Sequence, residues 1–267
     1  MNSTPIQMAS VFTNAWQAFR TQILNFAVIA VIVSLILYVW VIIVQVVLLP
    51  DAAFTMAEAY RFSVDPNGIF GLAFFAINII IFVLTWLANC YYTAAASTAL
   101  NGERCSLSEL SSLIRSRGST YLGQLFVFTL CLAVGIFLCG VGLLVAWFFL
   151  MFVPFMAYDT RYRNLFTRSG RASLSQPGPA LLIVLTFLGL FFLIWIVHFI
   201  CTLGTVAIGS GSFAPAMLIG NFFEYLVFGY FFCLVASMFS AMQTVFDFSN
   251  DPATLPPEQP PQGQPPA

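Results

Sequence analysis

Lysine is absent from this chain of 267 residues, whose basic charge consists of nine arginines set against ten acidic residues and one histidine. Only 7% of the residues are charged, where an ordinary soluble domain has roughly 25%. A nucleic-acid surface needs a broad field of basic side chains, so nucleic acid is excluded as a partner. A single histidine cannot build a zinc site or a two-histidine haem site within the chain. There is no CxxC pair, no Walker-type loop and no glycine-rich dinucleotide fingerprint, and Gly209-Ser210-Gly211-Ser212 does not fit the GxSxG elbow. No cofactor or metal is expected, no catalytic set can be assembled, and an enzyme is the least supported class.

What the chain has instead is apolar surface: 60% of it is hydrophobic, including thirty phenylalanines. A soluble fold of this length has no interior large enough to hide that much, so the expected class is an all-α polytopic membrane protein. Residues 1–25 carry no basic region of the signal-peptide kind, and no cleavage is expected. The expected spans are 26–49, 69–92, 121–138, 142–157, 180–203 and 216–245, making one membrane domain over 1–249. Residues 250–267 are a proline-rich tail that cannot form a core.

Short amphipathic pieces precede several spans. Met8, Phe12, Ala15, Trp16, Phe19 and Ile23 recur every three or four residues, which fits an interfacial helix or, equally, a continuous extension of the first span. Ser106-Leu-Ser-Glu109 reads as a capping box opening a short helix through Arg117. Tyr91 and Tyr92 are expected at the inner interface. The uncharged run 121–158 is too long for one crossing, and Cys139-Gly140-Val141-Gly142 predicts a tight hairpin inside it. Pro154 is expected to kink the second arm as it leaves the membrane.

Charge placement orients the chain. With both termini cytoplasmic, Arg20, Arg104, Arg115, Arg117, Arg161, Arg163, Arg168 and Arg171 lie inside and only Arg61 outside, a strong positive-inside bias for the cell membrane. That count holds only if the run 121–158 crosses twice.

Two sets of residues stand out as candidate sites. His198 and Glu224 are the ionisable groups inside the fifth and sixth spans, each about 10 Å inward from the outer connection, so they can meet across the helix pair. They suit a proton or a polar substrate, or else a purely structural hydrogen bond. Arg115, Arg117, Arg161, Arg163, Arg168 and Arg171 can gather anionic headgroups or phosphates, although topology alone also accounts for them. The cysteines, Cys90, Cys105, Cys131, Cys139, Cys201 and Cys233, read as small buried hydrophobes, with a Cys139–Cys201 disulfide conceivable near the outer ends of their helices.

Two segments carry a family resemblance. Gly102-Glu-Arg104 leads into a short helix ending at Arg117. Phe152-Val-Pro154-Phe-Met-Ala-Tyr-Asp159 leads through Asn164-Leu to Ser169-Gly-Arg171-Ala-Ser173. Both resemble the six-helix bacterial and archaeal membrane proteins related to the membrane domain of glycerophosphoryl diester phosphodiesterases. The resemblance implies a helical membrane domain over most of residues 5–248, associated in some members with lipid or envelope homeostasis. It implies no phosphodiesterase activity here, because no soluble region is present to hold a hydrolase domain. The expected function is therefore a non-enzymatic scaffold or lipid-interacting protein. Its partners are membrane lipids and, through the interfacial helices or the tail, another protein; the oligomeric state stays open. The alternative is a transport component, such as a six-span permease subunit of an ATP-driven exporter or a substrate-capturing subunit.

Overall fold

The computed structural model describes residues 6–43, 69–137, 141–159, 162, 164–207 and 214–246. These fold as helices α1 (Met8–Ile43), α2 (Ile69–Leu100), α3 (Leu107–Phe137), α4 (Val141–Leu150), α5 (Val153–Tyr158), α6 (Leu165–Ser175), α7 (Pro177–Ala207) and α8 (Ala214–Val245). Six segments are long and apolar enough to cross a bilayer: five single helices and the broken pair α4–α5. The protein is an all-α polytopic membrane protein with a short amphipathic helix, α6, and an amphipathic first third of α3.

α1 is unbroken over 36 residues, so the amphipathic stretch from Met8 continues the first span rather than lying apart from it. At 1.5 Å per residue it is about 54 Å long, well beyond the roughly 30 Å of hydrocarbon. Its most extensive partner is α8, against which it runs antiparallel. The pairing is close because small residues line it. Ala15, Ala18 and Ala30 of α1 are buried, and a Cβ on Gly229 of α8 would come within 2.8 Å of the Phe26 ring. Close backbone approach through small side chains is how membrane helices gain packing where lipid supplies no hydrophobic drive. α8 packs against α1, α2 and α7 and forms the hub of the bundle; its residues 231–239 are all buried.

Gly118 breaks α3. Its φ of 75° and ψ of −169° lie where only glycine is at ease, and they separate the amphipathic segment 107–117 from the crossing 119–137. The segment opens as its sequence predicts. The Ser106 N–H donates to Glu109 Oε2 at 2.6 Å, and the Glu109 N–H lies 3.3 Å from Ser106 Oγ. α3 and α4 form the hairpin expected of the run 121–158; a Cβ on Gly135 would sit 2.9 Å from the Gly142 carbonyl oxygen. The turn residues Cys139 and Gly140 lie outside the described residues.

The break between α4 and α5 falls at Met151-Phe152, inside the protein core, and residues 151–157 are buried throughout. Pro154, at the start of α5, cannot donate to the preceding turn. The Phe152 N–H freed by the break donates instead to Ser169 Oγ of α6 at 3.2 Å. α6 ends at Ser175, and Pro177 opens α7 at the helix position where its missing N–H is harmless.

Candidate functional site

A series of polar contacts defines one end of the bundle. Gln22 of α1 donates to the Glu103 carbonyl at 3.1 Å, and the Asn25 amide donates to the Cys105 carbonyl and to Gln22 Oε1. The α2–α3 connection is thereby tied to α1. Tyr91 bonds Ser111 at 2.7 Å, and the Arg117 guanidinium stacks 4.6 Å from the centre of the Tyr158 ring. Gln243 near the end of α8 donates to the Tyr162 hydroxyl at 3.0 Å. Residues from α1, α2, α3, α5, the α5–α6 connection and α8 therefore share this end, and so do Arg20, Arg104, Arg115 and Arg117.

The arginines there do not form one uniform surface. Arg20, Arg104, Arg115 and Arg171 are exposed, Arg117 is half-buried beneath Tyr158, and Arg168 is 6% exposed, packed into the bundle from α6. Arg161 and Arg163 lie outside the described residues. Of the six arginines read as headgroup contacts, Arg115 and Arg171 are thus exposed at the surface, whereas Arg168 is enclosed. Arg104 and Arg20 join the exposed set. Their signal in the sequence is position alone, beside the polar turn and two residues before Gln22.

Among the acidic groups at this end, Glu109 is committed to the α3 cap. The Ser106 N–H and hydroxyl hold its carboxyl below the usual carboxylate range. Tyr92 is not an interfacial anchor: it is 1% exposed and donates to the Tyr225 carbonyl of α8 at 2.8 Å. Only Tyr91 of the pair reaches the polar boundary. Interhelical bonds from Asn89 to Thr129 (3.1 Å), Trp86 to the Leu122 carbonyl (3.1 Å) and Tyr121 to the Cys90 carbonyl (2.9 Å) tie α2 to α3.

Toward the other end, α7 and α8 bring His198 and Glu224 together. The imidazole lies in a notch over Gly220, where an added Cβ would collide with Nε2. Nδ1 of the same ring is 3.2 Å from the Ile194 carbonyl, four residues back on α7. Glu224 is one turn beyond Gly220 on α8. Helical side chains lean toward the helix N-terminus, so its carboxyl is carried back toward the ring, and the two groups interact electrostatically. Glu224 stands ten residues into α8, about 15 Å from its start. Both helices extend past the expected bounds, so the pair stands farther from the helix ends than the sequence implied. Cys201, one turn past His198, is a free thiol, and Cys139 lies outside the described residues. Below the pair, a small apolar crevice between α7 and α8 is lined by Phe187, Phe191, Ile194 and Phe228.

No protein family, curated protein or solved structure matches this chain.

Proposed function

We propose that this membrane protein is a non-enzymatic, lipid-interacting component of the cell membrane whose arginine-bearing end faces the cytoplasm and gathers anionic headgroups. The observation that carries the reading is the placement of exposed Arg20, Arg104, Arg115 and Arg171 at the same end as two amphipathic segments, 107–117 and α6. Polar and basic side chains presented beside amphipathic helices at a bilayer surface attract anionic lipid at about 1 kcal/mol per Arg. The cytoplasmic assignment follows from the positive-inside bias of the arginines. The family resemblance read from residues 102–117 and 152–173 supports the same role in lipid or envelope homeostasis.

The test is retention of lipid. Protein extracted in mild detergent from vesicles of phosphatidylethanolamine and phosphatidylglycerol should carry phosphatidylglycerol in excess of the bulk ratio. The triple variant R104Q/R115Q/R171Q should lose most of it, since three contacts amount to roughly 3 kcal/mol, or about 150-fold in affinity. Unchanged enrichment would refute the reading. An interfacial helix separate from the first span would favour the alternative of an exporter permease subunit, but α1 is continuous from Met8. Co-purification of an ATP-hydrolysing partner would restore that alternative.

A further inference from the structure

We infer that His198 and Glu224 form a proton-binding site at the α7–α8 seam, within the membrane and apart from the arginine end. Ionisable side chains inside a bilayer are costly and are retained where they do something. The geometry here is specific. The His198 ring is seated against Gly220 with Nδ1 turned to the Ile194 carbonyl, which leaves the Nε2 edge on the α8 side. Glu224 stands one turn beyond Gly220 on α8, and the tilt of helical Cα–Cβ bonds toward the helix N-terminus directs it to the ring's side of that turn.

The ligand class follows from what surrounds the pair. α8 packs against α1, α2 and α7. From α1, the titratable residue in the half beyond Phe26 is Tyr38. From α2 it is Tyr92, whose hydroxyl is already donated to the Tyr225 carbonyl. α7 supplies His198 and Cys201, and α8 itself supplies Tyr225 beside Glu224. One carboxylate is therefore the sole anionic group that the described residues bring to the site. A hard metal cation requires six or more oxygens, and a neighbouring imidazolium would repel it. A proton needs only the carboxylate and the imidazole. With one proton bound, the pair is neutral overall whether the proton sits on Glu224 or on His198. A low-dielectric setting favours that state over either charged alternative. Exchange of the proton between the two groups forms one O–H or N–H bond as the other breaks, and no co-reactant is required.

Glu224 is half-buried, with exposed Phe223 and Ile219 beside it, so a lipid-soluble reagent can reach it. Dicyclohexylcarbodiimide adds to protonated carboxyls in apolar surroundings and is the probe of choice. The full chain in phosphatidylethanolamine–phosphatidylglycerol vesicles should be labelled near neutral pH and mapped by peptide mass spectrometry. Glu224 is expected to carry the adduct, with labelling that falls roughly tenfold per pH unit once the proton is lost. A water-soluble carbodiimide should spare Glu224 and react at exposed carboxyls such as Glu103 instead. H198Q, which removes the imidazole from the pair, should change the Glu224 labelling rate by roughly tenfold. G220A, which drives the ring from its notch without removing a titratable group, should change it in the same direction. An unlabelled Glu224 in the wild-type protein overturns the proposal without reference to any variant. So does a rate that is independent of pH, or one unmoved by both substitutions. None of these outcomes bears on lipid retention at the arginine end.

Discussion

Gly229→Ala tests how the bundle is held together. The added methyl would lie 2.8 Å from Cγ and 2.9 Å from Cδ1 of Phe26, well inside contact distance. Phe26 cannot easily move away. Its ring stacks on Phe19 at 5.6 Å and meets Tyr92 edge-on at 5.6 Å, while Tyr92 is fixed in turn by its bond to Tyr225 and by Phe232. Relief must come from parting α1 and α8, the most extensive helix pair in the molecule. Overpacking of this kind costs about 1–3 kcal/mol, a roughly 5- to 150-fold change in the folded-to-unfolded ratio. Lipid does not soften the estimate, because it concerns steric fit rather than transfer from water. Reversible unfolding in mixed micelles of mild detergent and dodecyl sulfate, followed by tryptophan fluorescence, measures the change. F26L shortens the clashing side chain, so in a double-mutant cycle it should recover at least about 1 kcal/mol of the loss. A G229A variant within about 0.5 kcal/mol of the parent, or a cycle with no coupling, would refute the account of α1–α8 packing.

Three further outcomes follow from the polar contacts. S169A leaves the Phe152 N–H at the α4–α5 break without its acceptor, at a cost of about 1–3 kcal/mol in the same unfolding assay; an unchanged midpoint would mean that the break needs no cap. Y92F removes one interhelical bond in the core and should cost about 0.6–1.7 kcal/mol, the range found for such bonds inside membranes. The Glu109 carboxyl carbon, followed by NMR in micelles, should titrate below the ordinary glutamate value of 4.5, and S106A should return it upward. Because its folded value is the depressed one, the contribution of the cap is complete above 4.5 and fades as the pH falls through the folded midpoint. A Glu109 midpoint insensitive to S106A would show that the capping box is not formed.

Local chemistry was legible in the sequence wherever it is written in polar residues. Ser106 and Glu109 form the box their spacing predicts, and Gly118 divides the amphipathic turns of α3 from its crossing. The double crossing of 121–158 followed from the length of the uncharged run, its glycine-bearing turn and the arginine count, and α3 and α4 are two separate arms within that run. Apolar residues are where the reading falters, because a side chain facing lipid and one facing a neighbouring helix have the same composition. Tyr92 looked like an interface residue because a tyrosine at the end of an uncharged run usually is one. It lies in the core because α8 passes close enough for its hydroxyl to find a backbone carbonyl. Arg168 looked like its exposed neighbours because α6 offers no sequence cue to which face α4 and α7 cover. His198 and Glu224 could be paired by depth, but the notch at Gly220 could not be foreseen, since nothing in a lone glycine says which side chain fills it.

The two ends of the bundle differ in a way that bears on where chemistry can occur. The continuous buried runs 92–96, 151–157 and 231–239 come from three different helical segments and interlock through Tyr92, Phe155 and Phe232. A core packed that densely, and tied by bonds such as Gln22 to Glu103, leaves little room for a side chain to change position with protonation. Farther along, α7 meets α8 much more extensively than it meets α4 or α6, and its outer face leaves Phe192, Trp195, Phe199 and Ile200 each about 60% exposed. A group that gains or loses charge there needs to disturb only one helix pair. His198 and Glu224 occupy that seam, at the place where a change in hydration or tilt of α7 would be least opposed by the rest of the fold.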